Sequence, residues 1–141
     1  MQAECRDVFG RYNGMLHKAA IITTGISLAE QRLTFKWADA FDTNAWVQVD
    51  DWGFERAAVL FNLAASISYL ATHEDRGTDE GVRNACTLFQ QASGTVGVVK
   101  EHVAAAAWKH SPDLSADTLS TLETLMLAQA QKCFYEKVSL R

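Results

Sequence analysis

The sequence predicts a mainly α-helical fold of antiparallel long helices, with a small two-stranded β element near residues 33–49. Three observations carry that expectation. Proline occurs once and glycine eight times in 141 residues, amid many Ala, Leu, Gln and Glu, a balance that favours helices over turn-rich β architecture. Apolar residues recur at the i, i+3, i+4, i+7 spacing of amphipathic helices in several long stretches, and one short segment alternates with period two instead. A hydrophobic share of 48% with 21% charged residues suits one packed domain and argues against disorder.

Residues 2–18 place Cys5, Val8, Phe9, Tyr12, Met15 and Leu16 at helical spacing, and Gly10 and Gly14 weaken the helix. Residues 19–32, with Ile21-Ile22, Thr23-Thr24 and Gly25, are expected to form an irregular or extended connection. Leu33 to Trp37 alternates apolar and polar, and Trp46-Val-Gln-Val49 is its expected partner strand. Two strands are marginal alone and must pack on helices.

Asp51 precedes a helix expected to reach about His73. Apolar side chains occupy almost every direction around it, leaving Glu55, Asn62 and Ser66 as a thin polar stripe, so it is the core helix and is covered on more than one side. Asn62 is expected to be a satisfied buried amide. After a short turn, Thr78 is a candidate cap, with Asp79 and Glu80 favourably placed in the first turn of a helix over about 79–109. There Ala92-Ser93-Gly94 is thin enough to admit a neighbouring backbone. Long helices joined by short turns stack as antiparallel hairpins, the unit of an α-solenoid, although no 34-residue sequence repeat is present.

The final helix is expected over Ser115 to Arg141, capped by Asp113 or Ser115, with Asp117 in its first turn. No closing residue follows, so this helix is expected to be cut partway along, as is the first. Glu123, Leu127, Ala130, Phe134 and Val138 fall near one face, and Leu119, Leu122, Met126 and Cys133 near another. By spacing alone, both stripes are core. Gln129 and Gln131 are expected to divide between a buried hydrogen-bonding role and a solvated one.

The formal charge of −4 and the lack of a basic run leave no footprint for nucleic acid or an anionic membrane. Three cysteines without a C-x-x-C pair fit reduced thiols in the cytosol, and no signal peptide or spanning segment is legible. His17, His73, His102 and His110 form no H-x-x-x-H pair, and no glycine-rich phosphate loop follows a strand, so neither metal nor cofactor is expected. A small helical enzyme would need Cys86 or Cys133 as nucleophile, or a carboxylate pair such as Asp39 with Asp42 or Asp50 with Asp51. These residues read instead as buried thiols and as turn or cap residues, so no catalytic residue is expected.

Six strings resemble the Bro domain family, the boomerang-shaped domain of ALIX, the yeast vacuolar-sorting Bro proteins, PalA-type pH-signalling proteins and rhophilins. They are Leu33-Thr-Phe-Lys-Trp-Ala-Asp-Ala-Phe-Asp42, Phe54-Glu-Arg-Ala-Ala-Val-Leu-Phe-Asn62, Asp79-Glu-Gly-Val82, Phe89-Gln-Gln-Ala-Ser-Gly94, Asp113-Leu-Ser115, and Leu125-Met-Leu-Ala-Gln-Ala-Gln131 followed by Phe134. The resemblance implies a tetratricopeptide-like helical solenoid with a small sheet at one side, and no catalysis. It implies an ESCRT adaptor in endosomal sorting, membrane scission or pH signalling, whose concave groove binds the C-terminal amphipathic helix of an ESCRT-III subunit of the charged multivesicular body protein class. Phe134 occupies the position of the family's groove aromatic, with Leu127 and Val138 on the same stripe. A cytoplasmic protein recruited to endosomes through its partners follows. The resemblance further implies that residues 1–141 are a partial Bro domain lacking its beginning and end, weakly stable or self-associating alone. The alternatives are the small helical enzyme and a truncated structural fragment without a functional groove.

Overall fold

The structure, a computed structural model, describes residues 2–22, 33–108 and 111–139, with no side-chain detail for residues 2 and 3. Helix α1 spans Gln2–Ile22, so the helix continues through the first four residues of the expected connection. Ala19 and Ala20 are half-buried there and extend the packed side of the helix. The remainder of that connection, 23–32, lies outside the described residues. Gly10 and Gly14 have nothing within 4 Å of a would-be Cβ, so their cost is one of helix propensity alone.

Strands β1 (Phe35–Ala38) and β2 (Trp46–Val49) pair antiparallel, with Phe35 opposite Val49 and Trp37 opposite Val47. Those four side chains form the inner face of the hairpin and pack on the helical core. Lys36, Gln48 and Trp46 face outward, as the alternation predicts.

Helix α2 spans Trp52–Thr72, and the Asp51 carboxylate accepts from Gly53 N at 2.6 Å and Phe54 N at 3.3 Å. Helix α3 spans Asp79–Ala104, with Thr78 Oγ1 accepting from Gly81 N at 3.0 Å. It ends about five residues before the expected point. The Ala-rich stretch at its end favours helix, but Trp108 packs edge-on against Phe54 at 5.2 Å, and that contact turns the chain away. Helix α4 spans Ala116–Ser139, after a single 3-10 turn at Pro112–Leu114; residues 140–141 of the expected helix lie outside the described residues.

Helix α3 is the central layer, with α2 on one side, α4 on the other, and α1 packed outside α2. Its apolar residues serve two clusters. Phe54, Leu60, Val96, Val99, Val103 and Leu119 make one, beneath the hairpin. Ala71, Val82, Ala85, Phe89, Ala130 and Cys133 make the other, at the far end. Close approach of α3 to α4 occurs at Ser93, whose Oγ donates to the Glu123 carbonyl at 3.2 Å, and at Gly97, where a Cβ would sit 3.2 Å from Glu123 Oε1. Gly94, expected at that approach, is exposed with open space beside it.

Of the expected polar stripe on α2, Asn62 donates to the Ala58 carbonyl at 2.9 Å, and Ser66 to that of Asn62 at 2.9 Å. Glu55 departs from that expectation. It is buried, and its carboxylate accepts from Tyr12 Oη on α1 at 2.8 Å and from Trp37 Nε1 on β1 at 2.5 Å. One acid therefore fastens both flanking elements to the core helix.

Asp113 also departs from its expected role. Ser115 caps α4, its Oγ accepting from Thr118 N at 3.2 Å, whereas Asp113 is buried and accepts from Ala40 N at 2.8 Å and from the Ser111 hydroxyl. In return Asp39, also buried, accepts from Asp113 N at 2.9 Å, Phe41 N at 2.9 Å and Asp42 N at 3.0 Å. The hairpin and the α3–α4 connection thus hold each other by exchanged carboxylate–amide bonds. Burial works to raise the Asp39 pKa, but the amides of Phe41, Asp113 and Asp42 outweigh it and hold the carboxyl below its usual 3.8. A depressed carboxylate contributes stability above the unfolded pKa, and that contribution is lost as pH falls through the folded value. Asp39→Asn is therefore expected to lower stability by about 1–3 kcal/mol at neutral pH and to flatten the acid-side loss below about pH 4, read as urea midpoints at several pH values.

Candidate functional site

The candidate site is the outer flank of α4. Leu119, Ala130 and Cys133 point inward and are buried, fixing how the helix is rotated on α3. Seven residues advance an α-helix by almost two turns and eleven by just over three, so Leu127, Phe134 and Val138 line one stripe. All three are exposed, Phe134 by 67%, Val138 by 59% and Leu127 by 46%, where a buried stripe would be close to zero. Spacing alone made this stripe core, and the structure corrects that assignment for these three side chains. Of their expected companions, Ala130 belongs to the core, and Glu123 binds Lys100 Nζ at 2.9 Å, closing the stripe against α3.

The far half of α4 is tied to the turn between α2 and α3 and to the start of α3. Arg76 Nη1 donates to Glu136 Oε2 at 2.7 Å, its guanidinium lies over Phe89 at 5.8 Å, and Lys137 Nζ stands 4.0 Å from Asp79. Phe134 is therefore presented from an anchored helix. Tyr135, exposed by 73%, widens the apolar surface and was missed by the sequence analysis. The adjacent aromatic pair Phe134-Tyr135 was the available signal.

The residues considered for catalysis are placed elsewhere. Cys133 is fully buried, and burial raises its thiol pKa, opposed by the nearby charge of Arg76 and reinforced by Glu136. A buried, protonated thiol is a poor nucleophile. Cys86 is half-buried in the same cluster. The Asp39 carboxylate is taken up by the backbone amides of Phe41, Asp42 and Asp113, and that of Asp42 accepts from Asn44 N at 3.0 Å, so the two do not form a carboxylate pair; Asp51 caps α2, and Asp50 is exposed. Among the described residues no group of three His, Cys, Asp or Glu side chains could hold a metal ion. No helix among them is long and apolar enough to cross a membrane.

A family model described as the BRO1-like domain matches residues 2–141. The chain is 38% identical over 116 residues to the ALG-2 interacting protein X of Dictyostelium discoideum, an alignment covering 82% of this chain and 14% of that protein. A solved ALIX BRO1 CHMP4C complex superposes with a TM-score of 0.73 at 37% identity, covering 77% of this chain and 32% of that one. ALIX in complex with the SIVmac239 PYKEVTEDL late domain superposes with a TM-score of 0.84 at 32% identity, covering 99% of this chain and 21% of that one. The chain thus spans about a seventh of the length of the curated relative, and between a fifth and a third of the two solved chains.

Proposed function

Because this chain belongs to the BRO1-like domain family, we propose that it is a protein-interaction module whose α4 flank of Leu127, Phe134 and Val138 receives the C-terminal amphipathic helix of an ESCRT-III subunit. The observation that carries this is Phe134, two-thirds exposed on an anchored helix, at the position the family resemblance marks as its groove aromatic. The likeness to an ALIX BRO1 CHMP4C complex supports the class of partner. A partner helix with Leu or Met at i, i+3, i+4 and i+7 would bury all three apolar side chains, each contributing about 1.5–3 kcal/mol on full burial. The adaptor works in endosomal sorting from the cytoplasm and reaches endosomes through such partners.

The test is fluorescence anisotropy of a labelled ESCRT-III C-terminal peptide titrated with this chain and with Phe134→Asp, both shown helical by circular dichroism. The parent chain is expected to bind saturably and the variant to lose at least about thirtyfold in affinity, the size of a hot-spot loss of about 2 kcal/mol. Binding of the parent should change little with salt, because apolar burial drives it. Equal binding by the folded variant, or no binding by either, would overturn the proposal.

A further inference from the structure

On the opposite flank of α4 from Phe134, a continuous groove follows α2. Its middle is a cavity of about 280 Å³ bounded by Phe61, Ala65 and Ser68 of α2 and by Leu122 and Met126 of α4, with Phe41 of the hairpin turn at its edge. Past Ala65, Ser68 and Met126 it opens into a hollow of about 530 Å³ carrying Tyr69, Arg76, Gln129 and Lys132. Past Ala40 and Phe61 it opens the other way into about 340 Å³ at the edge of the hairpin, lined by Trp37, Trp46 and Lys36. From Phe61 to Thr72 the open run along α2 is about 17 Å long, the rise of eleven helical residues, and the hollow at the hairpin's edge extends it.

Shape and charge together specify what fits. The long walls are helices, whose backbone groups are already paired, so an extended strand would find no ladder to join, whereas a straight helical rod can lay about three turns along the open run. Ala65 and Ser68 at the midpoint leave room for bulky apolar side chains of a guest. Cations stand at both ends. Lys36 lies over the Trp46 ring at 4.8 Å at one end; at the other, Lys132 is 67% exposed and only loosely matched by Glu136 at 3.9 Å. Arg76 gives one terminal nitrogen to Glu136, but its Nε–H is buried without an acceptor among the described residues. The remaining carboxylate, Asp113, is buried and occupied by Ala40 N and the Ser111 hydroxyl.

We propose that this groove is a second docking site, for an amphipathic helix with large apolar side chains at its middle and carboxylates at its ends. The chain then grips two different helices on opposite flanks of α4. The site is independent of the Phe134 flank, so the two stand or fall separately.

The experiment uses two labelled synthetic helical peptides of about eighteen residues, with leucines at the same i, i+3, i+4, i+7 positions and either Glu or Lys at the polar ones, titrated by anisotropy. The Glu peptide is expected to bind saturably and the Lys peptide at least about tenfold more weakly. Phe134→Asp disables the other flank and is expected to keep saturable binding of the Glu peptide in the groove; added to it, Ala65→Trp, which fills the middle of the groove, and Lys132→Glu, which reverses a terminal charge, are each expected to weaken that binding by about tenfold. Ala65 and Lys132 are both exposed, and should Ala65→Trp fail to fold, Lys132→Glu still decides the question. No saturable binding of the Glu peptide, equal affinity for both peptides, or folded groove variants that bind like Phe134→Asp itself would overturn the proposal. So would loss of binding in Phe134→Asp alone, which would place the peptide on the other flank.

Discussion

Replacing Gly81 with alanine is expected to destabilise the protein by about 3 kcal/mol or more, measured as a fall in the urea midpoint. A Cβ at Gly81 would stand 2.0 Å from the Asp75 carbonyl oxygen, 2.8 Å from its carbon and 3.0 Å from the Asp75 nitrogen. All three are backbone atoms, so no side-chain rotation relieves the overlap. The turn they belong to is itself organised: the Asp75 carbonyl accepts from Thr78 N at 3.3 Å and Thr78 Oγ1 at 3.1 Å, and Thr78 Oγ1 caps α3. Making room for a methyl group therefore disturbs the cap and the neighbouring Val82 and Ala85, which are buried in the far cluster. Gly97→Ala is the matched control. Its nearest neighbour is the flexible Glu123 carboxylate at 3.2 Å, and its cost should be small or reversed by the gain in helix propensity.

Glu55→Ala is expected to cost a similar amount, about 3 kcal/mol, because it leaves two donors on different elements without their acceptor. Tyr12 Oη and Trp37 Nε1 both converge on this one carboxylate. Glu55→Gln keeps one acceptor oxygen but turns an NH₂ group toward the second donor, so its loss should fall between that of Glu55→Ala and the parent. A spectroscopic signature separates this local account from general damage. Burial, then the hydrogen bond to Glu55 and its charge, push the Tyr12 pKa up to about 12 from 10.0. The raised value means that the associated stability is present below about pH 10 and is lost as pH rises through about 12. In Glu55→Ala, absorbance titration of the phenols should show Tyr12 ionising closer to its ordinary value.

The helices and the hairpin were legible because their signals are local. Periodicity marked α2, α3 and α4, alternation marked β1 and β2, and Asp51 and Thr78 acted as the caps their positions suggest. What was not legible depends on residues distant in sequence. Glu55 finds Tyr12 43 residues away, and Asp39 finds Asp113 74 residues away, so an apparent stripe residue and an apparent cap became buried ties. The end of α3 likewise follows Trp108 reaching Phe54, against the propensity of its alanines.

The α4 stripe shows the same limit. Ala130 and Phe134 are neighbours on one face by spacing, yet the boundary of contact with α3 passes between them, burying one and exposing the other. Periodicity identifies a stripe but not whether a neighbouring helix covers it; the family resemblance singled out Phe134. The groove on the other flank exists only because α2 and α4 both lean on α3, a juxtaposition that no single helix encodes.

The exchange between Asp39 and Asp113 has a kinetic consequence. Among the described residues most of the helix packing joins helices that follow one another, α1 to α2, α2 to α3 and α3 to α4, and such short-range topology assembles quickly. The carboxylate–amide exchange instead closes a 74-residue span, whose loop entropy is worth meeting only once the helices between have already brought the ends together. It is therefore formed late, after the rate-limiting barrier, and acts as a latch on unfolding: weakening it speeds the opening of the stack while leaving its assembly rate nearly untouched.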